Sequence, residues 1–268
     1  MAKPSVDAII CYHNHHDYLA RCVESLHTGV RQILVVNDGS TRPLPLDAEG
    51  FTELRRSTRH SPANSFNYGA FHSNADWLLY VDPHTIFFPN AVQKMLAVAG
   101  DEYDFVLGKG WVSFLDPDSQ WGRILANSDL QTDVPLTFLI HRTLYDTLGG
   151  IPEPKYCHMD VLAQTLLAKG ILYAELSKMC HHHIDGSMKD VIWYYWRAGF
   201  SYARAGLPVE SVEQAKTYTA EHAAQLLAAL FGSAYALGTM DGLGNLPTEP
   251  LDVRRFMPHW GQQEDKAK

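Results

Sequence analysis

The chain has 268 residues, 46% of them hydrophobic and 19% charged, a composition that excludes a disordered regulator or a fibrous repeat and fits one large domain with room for an appendage. Acidic residues outnumber basic ones 30 to 22, and the net charge of −8 disfavours nucleic acid as a partner gripped through its phosphates. Four widely spaced cysteines, Cys11, Cys22, Cys157 and Cys180, form no CxxC pair and fit a reducing cytoplasm rather than a disulfide scaffold or a zinc module.

Residues 1–5 run straight into a strand-like stretch with no signal-peptide core, so a cytoplasmic location is expected. The run Val6–Tyr12 is almost wholly apolar, the pattern of a strand buried on both faces. From His16 to His27, Leu19, Cys22, Val23 and Leu26 recur at helical spacing opposite Arg21 and Glu24, which predicts an amphipathic helix. A second strand, Gln32–Val36, stops at the turn-forming Asn37-Asp38-Gly39-Ser40. A weak strand follows at Thr52–Arg56, then a helix at Ser65–Ser73, a strong strand at Trp77–Val81, and a helix from an Asn90 N-cap to Val98. Asp104–Leu107 and Leu136–His141 read as strands. Arg142–Leu148 and Val161–Lys169 read as helices separated by Gly149-Gly150-Ile151-Pro152. Strands alternating with helices predict a doubly wound α/β layer.

After Gly186 the character changes: Val191–Ala205 and Val212–Leu237 read as helices with no strand between them. The expected organisation is a sheet domain over residues 1–186, a helical C-terminal appendage over 187–243, and a strap and tail over 244–268. The apolar stretch Ala223–Gly238 is broken by Gln225 and Ser233 and is shorter than the roughly 20 residues of a transmembrane helix. No transmembrane segment is expected, and the apolar face of Val212–Leu237 suggests packing against the sheet domain or a homodimer contact.

In an open α/β sheet, ligands bind beyond the carboxyl ends of the strands. Three polar strand exits stand out: Tyr12–Asn14, Asp38, and Asp82-Pro83-His84. Neither GxGxxG nor GxxxxGK[ST] is present, so phosphate handling falls to some other device, and a divalent metal is well suited to it. Asp82 and His84, two residues apart in a turn stiffened by Pro83, can converge on one ion. Taken alone, an Asp-Pro-His sequence is an ordinary turn; its place after an apolar strand beside two other polar exits gives it weight.

VDAIICYHNHHDYLARCVESL, then QILVVNDGS, then NSFNYGAFHSNADWLLYVDPH resembles the nucleotide-diphosphosugar-binding half of the family 2 glycosyltransferases of the GT-A fold. The later LIHRTLYDTLGGIPEPKYCHMDVLAQTLLAKG resembles that family's acceptor-side segment, and the likeness covers residues 5–186. The resemblance implies a mixed doubly wound sheet and transfer of a sugar from a nucleoside diphosphate, UDP foremost, to a hydroxyl-bearing acceptor. It makes Tyr12 a stacking residue for the base and Asp38 an acceptor from the base imide, with Asn14 and Asn67 further donor-side candidates. Asp82 would face ribose and metal, His84 and His183 would complete the ligands of one Mn²⁺ or Mg²⁺, and Asp160 would be the general base of an inverting reaction.

Two departures from the family pattern bear on the chemistry. The motif is Asp-x-His rather than Asp-x-Asp, as in the retaining polypeptide N-acetylgalactosaminyltransferases, and the usual acidic pair is Met159-Asp160. A retaining transferase, or a nucleotide-sugar-binding protein without turnover, is therefore the alternative. The segment Cys180–Ser187, with three successive histidines, reads as a polar loop apart from the ligand that the resemblance assigns to His183, with His182 next in line. Arg55, Arg56, Arg59 and His60 suggest a solvated strand end or an anion contact, and Trp193, Tyr194, Tyr195, Trp196 and Tyr202 suggest a helical core or an acceptor platform.

Overall fold

The computed structural model describes residues 4–14, 16–44, 50–100, 102–114, 134–151 and 159–184. Nearly all of these belong to one compact unit, Met1–Ser113 with Gln131–Ile184; of the second unit, Phe114–Leu130 with Asp185–Lys268, only Phe114 is described. The expected appendage, strap, aromatic platform and dimer-forming helix lie outside the described residues. Among the described residues no helix is long and apolar enough to cross a membrane.

The elements in chain order are β1 (Val6–Tyr12), α1 (His16–Leu26), β2 (Gln32–Asp38), β3 (Thr52–Arg56), α2 (Pro62–Phe71), β4 (Trp77–Val81), β5 (Thr85–Phe87) and α3 (Ala91–Val98). Then come β6 (Phe105–Phe114), β7 (Val134–His141), α4 (Arg142–Leu148), α5 (Met159–Ala168) and β8 (Ala174–Ile184). The described strands form one eight-stranded sheet in the order β3-β2-β1-β4-β7-β6-β8-β5. The first four positions are parallel, with Ile10 opposite both Val35 and Val81; β7 then pairs antiparallel with β4 and β6, and β8 antiparallel with β5.

The continuous apolar strands are buried on both faces because side chains alternate. One face of β1, through Val6, Ala8, Ile10 and Tyr12, packs with Leu19, Cys22, Val23 and Leu26 of α1 and with Val92 and Met95 of α3. The other, through Ile9 beside Leu34 and Val36 of β2, packs with Ala63 and Phe66 of α2, Tyr145 of α4 and Leu166 of α5. Each fully buried Leu or Ile contributes about 1.5–3 kcal/mol, so the expected α/β layer follows from this two-sided burial.

The structure differs from the expected elements at several places; β6, expected to end at Leu107, runs on to Phe114. Helix α2 begins at Pro62 rather than Ser65, because Ser61 caps it through its hydroxyl and proline suits the first helical position. Asn90 precedes α3 as expected, yet its backbone is left-handed (φ 61°) and its side chain makes no capping hydrogen bond, since that bond needs an extended N-cap. Strand β5 was not expected. The histidine segment, read as a loop, continues the 11-residue strand β8 as far as Ile184, and its pairing with β5 satisfies the backbone.

Candidate active site

Strand β4 delivers Asp82 into a tight turn. The Thr85 N–H donates to the Asp82 carbonyl at 3.0 Å, closing the turn around Pro83, and the His84 N–H donates to Asp82 Oδ1 at 3.0 Å. Asp82 accepts both bonds, one through its backbone and one through its side chain, and Pro83 presets the turn between them, so the local sequence dictates the local shape. The His84 ring returns toward the carboxylate, with Nδ1 3.2 Å from Asp82 Oδ1, and is covered at its edge by Tyr18 of α1 at 6.1 Å between centroids. The Asp82 side chain is 33% exposed and that of His84 11%, so one oxygen donor and one imidazole converge at the rim of the sheet.

The turn is held from beneath. Cys22 lies under it with Sγ 3.8 Å from the Asp82 carbonyl oxygen; burial foremost, then the negative charge of Asp82, pushes its thiol well above the usual range. Beyond the turn, Thr85 pairs with His182, Ile86 with His181 and Phe87 with Cys180, and His84 and His183 are the next residues on the two chains. Burial, helped by Arg21, lowers the His181 pKa and keeps that imidazole neutral. A carboxylate with imidazole suits Mn²⁺ and accommodates Mg²⁺, so the donor chemistry fits the expected cation. Among the described residues no group of three His, Cys, Asp or Glu is gathered, and the side chain of His183 lies outside them.

Asp38 sits on the other side of β1, at the exit of β2. Asn37 shapes this turn: its Oδ1 accepts from the Ser40 N–H at 3.2 Å and its Nδ2 donates to Glu53 of β3 at 2.7 Å. Gly39 adopts φ +71°, and a Cβ there would stand 2.6 Å from the Arg59 nitrogen, so the chain leaving β3 lies directly on the turn. That contact carries His60 to Asp38. The His60 N–H donates to Asp38 Oδ2 at 2.7 Å and its Nδ1 lies 3.2 Å from Oδ1. Arg56 stands 3.9 Å from Asp38 Oδ1, bonds Asn64 at 2.5 Å and stacks over the Tyr68 ring at 4.9 Å, so it is engaged rather than solvated.

Other expected donor residues take different places. Tyr12 is fully buried, packed in the core rather than offering an open face for stacking. Asn14, left-handed at φ 58°, clasps two loops: its N–H donates to Ser40 Oγ at 3.1 Å, and its Oδ1 accepts from the Thr41 N–H at 3.0 Å. Asn67 lies on α2 with its amide committed to Ile151, donating to the carbonyl at 2.8 Å and accepting from the N–H at 2.9 Å, while the Tyr145 hydroxyl donates to the same oxygen at 3.1 Å. It braces the Gly149–Ile151 turn. Asp160 is the second residue of α5 and His183 the tenth of β8; the side chains of both lie outside the described residues.

His13 and His60 did not stand out from the sequence as single residues, because their partners are 25 and 22 positions away. The one available signal was the nearness of each to a strand exit.

Two solved proteins of similar fold hold a nucleotide together with Mn²⁺. A mannosyltransferase from Pyrobaculum calidifontis, solved with GDP-mannose and Mn²⁺, superposes with a TM-score of 0.56 at 14% identity, covering 100% of this chain and 82% of that one. Glucosyl-3-phosphoglycerate synthase from Mycobacterium tuberculosis, solved with Mn²⁺, UDP and phosphoglyceric acid, gives 0.56 at 14% identity over 77% of this chain and 80% of that one. In sequence, EpsH of Bacillus subtilis (strain 168), named as a glycosyltransferase, is 28% identical over 116 residues, 40% of this chain; the match spans 34% of that relative's length. The sequence profile of Glycosyl transferase family 2 matches residues 7–164, the stretch that holds β1 from Asp7 onward, Asp38, the Asp82–His84 turn and Asp160, and the chain belongs to that family.

Proposed function

We propose that the protein is a metal-dependent glycosyltransferase that moves a sugar from a nucleoside diphosphate, UDP foremost, to a hydroxyl acceptor with inversion. The observation that carries this reading is the placement of Asp38 and of the Asp82–His84 turn at the exits of β2 and β4, on either side of β1. The connections from β1 and β4 depart in opposite directions there, which is where open α/β sheets bind ligands. Two strand spacings put the sites roughly 10 Å apart, enough for a base at one and a diphosphate at the other.

Asp38 accepts from the base imide, and Asp82 faces ribose and cation. Asp82, His84 and His183 hold Mn²⁺ or Mg²⁺, as Mn²⁺ accompanies nucleotide in the two solved relatives. When bound, that cation neutralises the charge of the leaving diphosphate. Asp160 takes the acceptor hydroxyl proton as the new C–O bond forms at the anomeric carbon and the bond to phosphate breaks on the opposite face. A cytoplasmic location fits the described cysteines Cys11, Cys22 and Cys180, which carry no disulfide.

The test is transfer and donor hydrolysis across UDP-, GDP- and dTDP-sugars with Mn²⁺, followed by NMR assignment of the anomeric product. Activity lost in EDTA, with an inverted product, is expected. Retention of configuration overturns the role of Asp160, and tight UDP binding with no turnover on a broad acceptor panel overturns the enzyme.

A further inference from the structure

Asp38 is gripped by two histidines, one on its backbone and one on its carboxylate. His13 Nδ1 lies 2.9 Å from the Asp38 carbonyl oxygen, and His60 Nδ1 lies 3.2 Å from Asp38 Oδ1 and 2.8 Å from the Thr58 carbonyl oxygen. Carbonyl and carboxylate oxygens only accept, so each Nδ1 carries a hydrogen and both tautomers are set by geometry. His13 Nε2 then accepts from Asn14 Nδ2 at 3.3 Å, and Asn14 cannot turn its amide round because its Oδ1 already accepts from Thr41. The Asp38 side chain is 6% exposed, and both its oxygens accept from His60. Its direction is therefore fixed by the main-chain N–H and imidazole of His60, while the His13 imidazole holds the backbone that carries it.

We propose that His13 and His60 are specificity-determining positioning residues: they aim the Asp38 carboxylate, and so select a base with a ring N–H at its pairing edge, such as uracil or guanine, over cytosine, which presents a ring acceptor there. This rests on the reading of Asp38 as the base contact. A carboxylate held rigidly in a nearly closed pocket cannot turn to relieve repulsion with the cytosine nitrogen, whereas one released from its histidines can rotate or admit water. His60 also fixes the carboxylate through its main-chain N–H, which survives substitution, so removing the ring loosens the group without removing it.

The experiment is calorimetric titration of UDP, GDP and CDP with Mn²⁺ into the full chain and its variants, with the tighter of UDP and GDP compared with CDP. The wild type should prefer its partner over CDP by about tenfold or more. Asp38→Asn, whose amide can donate to cytosine, should collapse that ratio. His60→Gln and His13→Gln should lower the ratio, whereas His60→Asn and His13→Asn, which place an amide donor where Nδ1 stood, should restore it. An Asp38→Asn ratio equal to wild type removes Asp38 from base recognition and the inference with it. A collapsed ratio for Asp38→Asn, combined with equal weakening of both nucleotides in the Gln variants, leaves Asp38 in place and overturns the role of the histidines. The two histidines are scored separately, and melting curves identify any variant that fails to fold, so the other decides.

Discussion

His84 folds back on Asp82, its backbone N–H and its ring nitrogen both within 3.2 Å of the same carboxylate oxygen. One turn thus fixes both groups before any cation arrives, and preorganised donors lose less on binding. His84→Ala and Asp82→Ala are each expected to weaken Mn²⁺-dependent UDP binding by about tenfold or more, close to the effect of EDTA on the wild type. Titration of UDP with and without Mn²⁺ checks this; equal affinity in both conditions for the wild type would remove the cation from donor binding.

Asp160→Asn should leave UDP affinity within about twofold of wild type and reduce turnover by about 10²–10⁴, the usual worth of a general base. Single-turnover kinetics beside titration separate the two effects. A parallel loss of binding and turnover would make Asp160 a donor contact.

Gly39→Ala is expected to cost about 1–2 kcal/mol from the left-handed backbone alone, and more because its Cβ must displace the backbone of Thr58 and Arg59. Urea unfolding gives the stability change. Displacing this segment also shifts His60, so UDP affinity in the folded variant should fall too.

Asn67→Ala leaves the N–H of buried Ile151 without its acceptor and should destabilise by about 1–3 kcal/mol. Asn67→Asp keeps that acceptor but sets a carboxylate oxygen against the Ile151 carbonyl, which the amide met at 2.8 Å, so it should destabilise as well. Chemical denaturation of the pair distinguishes a brace from a donor contact, for which UDP affinity would fall in both while stability held.

Cys22 gives stability a dependence on alkaline pH. Its thiol is raised in the folded state by burial and then by Asp82, so folded protein keeps a proton that the unfolded chain releases. The contribution is complete below the unfolded value of about 8.5 and is lost as pH rises above it. Cys22→Ala should lose this part of the alkaline slope, measured by unfolding between pH 7.5 and 10. Slow reaction of Cys22 with iodoacetamide in the native state is the companion observation.

What was legible in the sequence was whatever rests on local pattern. The apolar run of β1 and the turn residues after β2 and β4 declared strands and their exits, because two-sided burial and turn chemistry are written in consecutive residues. Strand β8 was not legible, since Ala174–Ile184 mixes charged residues with three histidines and owes its pairing to β5, about 95 positions earlier. Asn14, at a strand exit, and Asn67, through the family resemblance, were expected on the donor side, but their partners Thr41 and Ile151 are 27 and 84 positions away. A side chain that braces a loop and one that awaits a ligand look alike until the chain is folded. Tyr12 shows the reverse: at a strand end it resembled a ligand platform, yet the alternation of β1 turns it into the core.

The two bonds between Asn67 and the Ile151 backbone act as a splice, a side-chain amide standing in for one rung of a ladder. Through it α2 carries a load at each end. Its Ser61 cap follows directly on His60, while Asn67, six residues or roughly 9 Å along the axis, secures the glycine turn that precedes Met159–Ala168. The segment beside Asp38 and the glycine turn at Gly149–Ile151 are thus mounted on a single short strut. A substitution that tilts α2 would misalign both ends together, and a screen for loss of donor binding should recover buried α2 residues such as Phe66.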